Sequence, residues 1–456
     1  MIVAVLGMGS IGYRHAVNLL ALEQTVVGFD PDPIQGLSSS LLLGVKMAET
    51  REAALEAADA VVIASPNTNH LEDLTAAVDA GCHVFIEKPL AHKVEGVAEV
   101  LERAGVAGLV VFVGMNLRFH PDILEARDRI AKGDLGELLW ARFLSASYLL
   151  DWRPWQDYRK GYTADPVTGG VIFDSIHEFD LAHHLLGPAE VLAATARSSE
   201  SIEIPSDDVA DILLEHPEGI VSSLHLDYVT KTPQRTIDIM GTEGYLKIDL
   251  LDRICSANND YRAEMASFLA CIEGDWEPVC DGFEALKILR GVIVARKLAG
   301  LPFVTVRRAI RTDILDILLW RNDPRTRQMF WQGKKIDWKE HESWFLYALE
   351  DPQSQHNIFI AQIGTDKIGM VRFDTYDGNP QQFEISINMN PGWRGKGLAK
   401  SALLESIAAF RDSTKVELLR AETKETNTAS RKLFLSCGFS YVHYDAGGCN
   451  YEKVLA

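Results

Sequence analysis

Acids and imidazoles fall at helical spacing in one stretch of this 456-residue sequence, Gly169 to Gly187 (GGVIFDSIHEFDLAHHLLG). Asp174, His177, Leu181 and His184 are separated by three, four and three residues, which stacks them on one side of a helix. Aspartate and histidine are residue types that move protons. A capped helix with internally hydrogen-bonded polar groups would share this spacing, so the reading depends on what else the sequence supplies. It supplies a lysine. Lys88 stands in Glu87-Lys88-Pro89 at the end of the apolar run HVFIEKP (83–89), a placement that suits a proton donor or acceptor. Ligands of open α/β sheets collect at the carboxyl ends of such strands.

The elements that must position these groups begin at the first residues. IVAVLG (2–7) is a continuous apolar run ending in glycine, as in a buried parallel strand. It leads into Gly7-Met8-Gly9-Ser10-Ile11-Gly12 and then the helical pattern YRHAVNLLAL. A G-x-G-x-x-G between strand and helix permits a tight turn and close approach to a pyrophosphate, with helix N–H groups facing it. A second strand, TVVGFD, ends at Asp30, about 18 residues past Gly12. A carboxylate there accepts hydrogen bonds from the adenosine ribose and repels a 2′-phosphate, so NAD is expected over NADP. DAVVIAS (59–65) opens onto Pro66-Asn67-Thr68-Asn69-His70, and LVVFVGMN (109–116) ends at Asn116. The expected NAD contacts are Gly7, Gly9, Ser10, Ile11, Gly12, Asp30, Ser65, Asn67, His70, Glu87, Lys88 and Asn116.

Gly7–Gly12, Ser65-Pro66-Asn67…His70, Glu87-Lys88-Pro89, Asn116…Arg118-Phe119…Pro121 and Asp174…His177…Asp180 together resemble the glucose–fructose oxidoreductase / inositol dehydrogenase / MocA family over about residues 1–302. The resemblance implies an NAD(P)-dependent sugar or cyclitol oxidoreductase. It implies that Lys88 and His177 flank the reacting carbinol with Asp174 assisting, and that Arg118 and Asp180 lie at the substrate. Many family members have three residues between the Asp and the His, whereas only Ser175 and Ile176 intervene here. Which of His177, Asp174 and Lys88 takes the hydroxyl proton therefore stays open.

After this helix the chain becomes rich in strands. VLAATARS, DVADILLEH, GIVSSLHLDYV, RTIDIMG and GYLKIDL have the lengths and turn punctuation of an antiparallel sheet. Several alternate apolar and polar residues, as expected of a sheet with one solvated face that could pair with another subunit. The family resemblance likewise implies a homo-oligomer. Tyr148 to Arg159 is aromatic and cationic without regular periodicity. Trp152, Arg153 and Tyr158 in it could wall a sugar-nucleotide pocket, although a packing loop would look alike. GFEALKILRGVIVARKLAG (282–300) reads as a closing helix.

Beyond residue 302 the pattern changes. FVTVRRA, NIFIAQIG, KIGMVRFD and FEISINMNP (383–391) read as strands, and the last runs into Gly392-Trp393-Arg394-Gly395-Lys396-Gly397-Leu398-Ala399 and the helix LAKSALLESIAAF. Strand, glycine turn and helix N-terminus make an anion cradle. No G-K-[ST] follows, so this is not a Walker motif. Residues 303–456 resemble the GNAT N-acetyltransferases, including Asn427…Ser430…Leu433-Phe434…Gly438-Phe439. The resemblance implies acetyl-CoA held by Arg394, Gly395, Lys396, Gly397, Leu398 and Ala399, with Asn427 also at the cofactor. Trp320-Arg321-Asn322-Asp323-Pro324…Arg327, His341…Trp344-Phe345 and Gly369…Arg372-Phe373-Asp374 further resemble the amino-sugar N-acetyltransferases of pseudaminic acid biosynthesis. Many GNAT enzymes place an acidic tyrosine where this sequence has Phe434. Tyr444 or Tyr441 could replace it, and Glu384 or His341 could relay the amine proton, with His341 beside the acceptor.

Composition bounds the rest. Residues 303–456 carry 21 Lys+Arg against 19 Asp+Glu, whereas residues 1–302 carry 24 against 45. The acidic first part disfavours nucleic acid as a partner. Six scattered cysteines without a C-x-x-C pair argue against a disulfide framework or a metal site and for a reducing compartment. Neither a secretion signal nor a run of about 18 apolar residues is present, so a cytoplasmic protein off the membrane is expected. The expected fold class is α/β and α+β: a Rossmann domain (1–118), an antiparallel-sheet α+β substrate and oligomerisation domain (119–302), and a GNAT α/β domain (303–456). The expected function is bifunctional: NAD-dependent oxidation of a sugar hydroxyl, then acetyl-CoA-dependent acetylation of the amine that a separate PLP aminotransferase installs. An NAD-binding sensor regulating an N-acetyltransferase is the alternative.

Overall fold

The computed structural model describes residues 1–32, 43–154, 156–199, 201–251, 258–331, 333–350, 356–445 and 448–455, and it divides into two compact units, Met1–Leu301 and Pro302–Ala456. In the first unit β1 (Ile2–Leu6), β2 (Thr25–Phe29), β3 (Lys46–Met47), β4 (Ala60–Ile63), β5 (His83–Glu87) and β6 (Val111–Gly114) form a parallel sheet in the order β3-β2-β1-β4-β5-β6. This is the doubly wound order, and the switch between β1 and β4 opens a crevice at their carboxyl ends. The expected Rossmann strands are all present. The helix Asn259–Glu273, far along the chain, also joins this core: Met265, Phe268 and Leu269 pack with Val3, Val5, Phe85 and Phe112. This helix from the region 119–302 thus shares the core of the first sheet within one compact unit, Met1–Leu301.

A second sheet contains β7 (Leu138–Tyr148), β8 (Glu190–Arg197), β9 (Val209–Glu215), β10 (Val221–Asp227), β11 (Val229–Gly241) and β12 (Tyr245–Asp249), ordered β12-β11-β7-β10-β9-β8. It is antiparallel as expected, except that β7 and β10 run parallel at its centre. β7 was not evident in the sequence, because its exposed Leu139 and Trp140 interrupt the alternation. Cross-strand register places Trp140, Val221, Leu213 and Tyr245 on one exposed face.

The expected helix behind Gly169-Gly170 is two pieces, Val171–Asp174 and Ile176–Leu186, broken at Ser175, whose ψ of 32° leaves the helical range. Its position is set by a buried ion pair. The Arg296 guanidinium meets Asp207 Oδ1 at 2.9 Å and donates to the carbonyls of Gly169, Pro166 and Val167. Asp207 Oδ2 accepts the Ile172 N–H, and its backbone carbonyl accepts that of Val171. Gly170 has φ of 89°, and a Cβ there would come within 1.9 Å of Asp207 Oδ1, so only glycine fits.

The second unit is a seven-stranded sheet, β13 (Val304–Arg308), β14 (His356–Ile363), β15 (Asp366–Tyr376), β16 (Asn379–Met389), β17 (Leu418–Lys424), β18 (Ser440–Asp445) and β19 (Gly448–Val454), in the order β13-β14-β15-β16-β17-β19-β18. One face packs Phe373, Phe383 and Leu419 against Leu403, Phe410 and Phe434; the other packs Ile358, Ile360 and Met370 against Trp320 and Phe345. No helix among the described residues is long and apolar enough to cross a membrane.

Removing one member of a buried ion pair leaves the other charged and unpaired, which costs about 3–5 kcal/mol. Arg296→Met is therefore expected to lower the stability of Met1–Leu301 by about that amount. Urea unfolding of wild type and variant, with m-values compared, measures it; a change within about 0.5 kcal/mol would show that the pair does not hold the turn.

Candidate functional site

The first unit gathers its chemistry around the crevice. Gly7 has φ of 87°, and a Cβ on Gly12 would lie 1.8 Å from the Gly7 carbonyl oxygen, so both close the turn only as glycine. A Cβ on Gly9 would meet nothing within 4 Å, leaving the outer side of the loop open. The helix Ser10–Ala21 has no side-chain cap, so its first N–H groups, at Ser10, Ile11 and Gly12, are available to a pyrophosphate. Asp30 Oδ2 accepts the Met8 N–H at 2.7 Å and Oδ1 the Asp32 N–H, which holds the carboxylate beside the loop. These residues fit an NAD molecule.

Other expected cofactor residues brace the crevice. His70 is buried, and its two ring nitrogens lie 2.8 Å from the carbonyls of Pro89 and Ser65, tying the ends of β4 and β5 together. Set between these two carbonyls, its ring braces the crevice. Ser65 Oγ donates to Asp73 and Asn67 Nδ2 to the Thr168 carbonyl. Asn116 is buried in the short helix Asn116–Phe119. Glu87 is buried, with Oε1 2.6 Å from His15 Nε2 and Oε2 accepting the Lys88 N–H.

Lys88, Asp174 and His177 are brought together. Lys88 Nζ donates to Asp174 Oδ1 at 3.1 Å and to the Asp174 carbonyl at 3.0 Å. Tyr162 and Tyr228 donate their hydroxyls to the two carboxylate oxygens at 2.7 and 3.1 Å. Burial pushes the Asp174 carboxyl up, but the Lys88 charge and these hydrogen bonds outweigh it and hold the group below its usual range. His177 is buried, and its Nδ1 has no hydrogen-bond partner among the described residues. Burial, followed by Lys88 and Arg235, pushes its imidazole well below the ordinary histidine value. A lysine anchored by a carboxylate beside a neutral imidazole is an arrangement that can polarise a carbinol oxygen and remove its proton. Tyr162 and Tyr228 were missed, because residues 12 and 54 positions from Asp174 carry no local sign that they converge on it.

Three substrate expectations need correction. Arg118 and Asp180 are fully buried against each other, with Arg118 Nη2 2.6 Å from Asp180 Oδ1. The guanidinium also donates to Glu284 and the Val279 carbonyl. Its donors are spent inside the protein, so the pair anchors the motif helix and does not face a sugar. His341 is also buried, its Nε2 on the Ile314 carbonyl and its ring stacked on Phe345. Trp152 does stand at the site: it packs edge-on against Tyr228 and donates to Ser147. Arg153 is exposed near Tyr162, and Tyr158 is partly exposed beneath Arg159.

In the second unit β16 and β17 pair only over Gln382–Glu384 and Leu418–Arg420. Beyond that point the ladder between them stops, and β16 runs on to the segment that leads into Arg394–Ala399. Gly395 and Gly397 have φ of 77° and 75°, and the following helix, Ala399–Arg411, has no side-chain cap after Leu398. Its N–H groups, with those of the loop, fit the pyrophosphate of acetyl-CoA. The Arg394 side chain turns away to Asp323 at 2.6 Å, to Thr326 and to the Met389 carbonyl, so it pins the loop to the Asn322-Asp323-Pro324 segment. Lys396 lies over Trp393, and Asn427 caps the next helix through Ser430 N–H.

Glu384 sits opposite Asp374 across β15 and β16, and burial, then Asp374 and Glu422, push its carboxyl up. Arg321 and Arg372 both lie over the Trp344 ring, at 5.6 and 5.4 Å from its centroid. Arg372 pairs with Asp374, whereas Arg321 has no carboxylate within ion-pair distance among the described residues. Tyr444 is exposed on the edge strand β18, separated from β17 by β19. Strand order therefore puts two strands, β17 and β19, between it and β16. Within the described residues His15, Glu87 and Glu264 are the group near enough together to hold a metal ion.

Residues 1–115 match the oxidoreductase family with NAD-binding Rossmann fold, 123–247 the GFO/IDH/MocA C-terminal domain, and 304–440 the acetyltransferase (GNAT) domain. The two oxidoreductase matches together cover more than half of the chain. The scyllo-inositol 2-dehydrogenase (NAD(+)) of Bacillus subtilis is 32% identical over 211 residues, 42% of this chain and 55% of that protein. This chain therefore spans only about half the length of that relative. The UDP-N-acetylglucosamine 3-dehydrogenase of Acidithiobacillus ferrooxidans is 25% identical over 318 residues, 64% of this chain and 95% of that protein. The WlbA dehydrogenase from Bordetella pertussis, solved with NADH and UDP-GlcNAcA, has the same fold: TM-score 0.59 at 20% identity, over 66% of this chain and 95% of that one. NAD and acetyl-CoA are the cofactors of the two matched domain types. The chain belongs to the GFO/IDH/MocA oxidoreductase family through its first unit and carries a GNAT acetyltransferase domain as its second.

Proposed function

We propose that this chain is a bifunctional sugar-modifying enzyme. Its first unit oxidises a hydroxyl of a nucleotide-sugar or sugar acid to a ketone with NAD, and its second acetylates the amine that a separate PLP aminotransferase makes from that ketone. The observation that carries the reading is the set Lys88–Asp174–His177 at the mouth of an intact dinucleotide loop. A sensor that only binds NAD has no need of an anchored lysine beside a neutral imidazole. The relatives that act on or bind UDP-linked sugars favour the nucleotide-sugar class.

In the first unit, NAD supplies the hydride acceptor when bound. His177, neutral and with Nδ1 unpartnered, takes the proton of the sugar hydroxyl. Lys88 has two of its hydrogens on Asp174, so the third is left to stabilise the developing alkoxide. Tyr162 and Tyr228 hold Asp174 in place, and Trp152 walls the sugar. In the second unit, acetyl-CoA supplies the thioester, and Glu384 is placed to take a proton from the incoming amine. Arg321 and Arg372 beside Trp344 suit the phosphates and base of a nucleotide handle. The exposed face with Trp140, Leu213, Val221 and Tyr245 suits a second copy of the chain.

Asp30 is expected to set the preference for NAD. Fluorescence titration of wild type and Asp30→Ala with both cofactors tests it, and equal or tighter NADP binding by wild type would sink the claim. Lys88→Met and His177→Ala should keep NAD affinity and lose about 10²–10⁴-fold in turnover. Because its environment disfavours the imidazolium, His177 stays a base below the usual histidine pKa of about 6.5. The acid limb of kcat/KM should therefore lie below about pH 6.5, and a limb above it would exclude His177 as the base. For the pathway, candidate sugars are treated with NAD, then with a PLP aminotransferase and glutamate, then with acetyl-CoA. Mass spectrometry should find an acetamido product; if no ketone from the first site becomes a substrate of the second, the two activities are unrelated.

A further inference from the structure

A cluster of buried titratable groups in the first unit takes no part in the proton transfer above. His15 comes from the helix after the glycine loop, Glu87 from the end of β5, and Glu264 from the helix Asn259–Glu273. One ligand-type atom from each lies within 4.8 Å of the others. His15 and Glu264 are both 0% exposed. His15 Nε2 is engaged with Glu87, but His15 Nδ1 and both carboxyl oxygens of Glu264 have no hydrogen-bond partner among the described residues. The surroundings are aromatic: His15 packs on Phe85 and Tyr261, and Phe85 on Phe112 and Phe268.

Three states of such a cluster can be weighed by their cost: a cation, an ionised Glu264, or a proton on Glu264. A cation fits poorly, because His15 Nε2 and Glu87 Oε1 are 2.6 Å apart, a hydrogen-bond distance. Two donors on one tetrahedral ion, with bonds of about 2.0–2.2 Å, sit about 3.3 Å apart. An ionised Glu264 would place an unpaired carboxylate beside the Glu87 carboxylate in a dry site, which is strongly unfavourable. The charges facing it offer no relief: Asp260 on its own helix is acidic, Arg14 is stacked on Tyr261, and His15 is committed to Glu87. Burial, then Glu87 and Asp260, push the Glu264 carboxyl well above its usual range.

We propose that His15 is a positioning residue for the dehydrogenase, fixing the Glu87 carboxylate and through it Lys88, and that Glu264 is kept as the neutral acid so that no second charge competes for His15. The link is covalent and short. Glu87 Oε2 accepts the backbone N–H of Lys88, so a carboxylate held by His15 on one oxygen holds the lysine's backbone with the other. A second negative charge at Glu264 would compete for His15 and repel Glu87 at the point where β5 delivers Lys88. The inference rests on the proposed dehydrogenase reading for its effect on catalysis, but the protonation of Glu264 stands apart from it.

The test uses the full chain. Infrared difference spectra of wild type minus Glu264→Gln, recorded at neutral pH, should show a protonated carboxylic C=O band that wild type loses on alkaline titration. Glu264→Gln, isosteric with the neutral acid, should keep NAD affinity within about threefold at neutral pH and abolish any alkaline fall in it. His15→Phe should weaken NAD binding or turnover by about ten- to a hundredfold, with His15→Gln restoring part of it. Absence of the band, collapse of NAD binding in Glu264→Gln with the fold intact by circular dichroism, or a stoichiometric divalent cation in the purified chain lost in that variant would each overturn the proposal. If no sugar is oxidised, the dehydrogenase reading fails while the infrared and NAD-binding results still decide the protonation.

Discussion

The Arg296–Asp207 pair is the constraint on which the first unit's site depends. Both side chains are wholly buried, and neither would be tolerated there alone. Together they reach from the closing helix Gly282–Leu298 to the carbonyls before Gly170 and the N–H groups after it. The turn they hold launches Asp174 and His177 into the crevice. The glycine at 170 is a consequence: the space a side chain would need is occupied by the Asp207 carboxylate.

From that anchor the site is a sequence of charge compensations. Asp174 would be costly to bury as a carboxylate, and Lys88, Tyr162 and Tyr228 make it tolerable. Burial first, and the same lysine second, make a charged His177 unfavourable, so both act to keep the imidazole neutral. Arg118 and Asp180 do the equivalent work one turn further along, where they lock the motif helix to Glu284. The Lys88–Asp174 and Arg118–Asp180 pairs therefore sit on consecutive helical pieces, one on each side of the break at Ser175.

The second unit solves a different problem with less charge. Its two neighbouring parallel strands, β16 and β17, stop pairing after three residues. Past them β16 runs on to the segment that leads into the glycine loop, which Arg394 fastens to Asp323. Two guanidinium groups lie over one tryptophan, and among the described residues only Arg372 has a carboxylate at ion-pair distance.

The sequence by itself determined the parts whose physics is local. Strand, glycine turn and helix follow one another within a dozen residues at Gly7–Gly12 and again at Arg394–Ala399, so the anion cradles were legible from spacing and composition. The apolar runs located the Rossmann strands, and their lengths and turn residues located most of the second sheet. What spacing could not decide was which polar residues were spent on one another. Arg118, Asp180 and His341 sit in motifs that resemble substrate contacts, yet their partners Glu284 and Ile314 lie far off in sequence and bury them. Tyr162 and Tyr228, the break at Ser175, and the return of Asn259–Glu273 to the first sheet were equally hidden, since each depends on long-range packing. Tyr444 suggested itself as the acid by nearness in sequence, and strand order moved it to the far edge. Tertiary structure decided these points because a side chain's chemistry is set by what surrounds it in space, and for buried charges those surroundings come from distant parts of the chain.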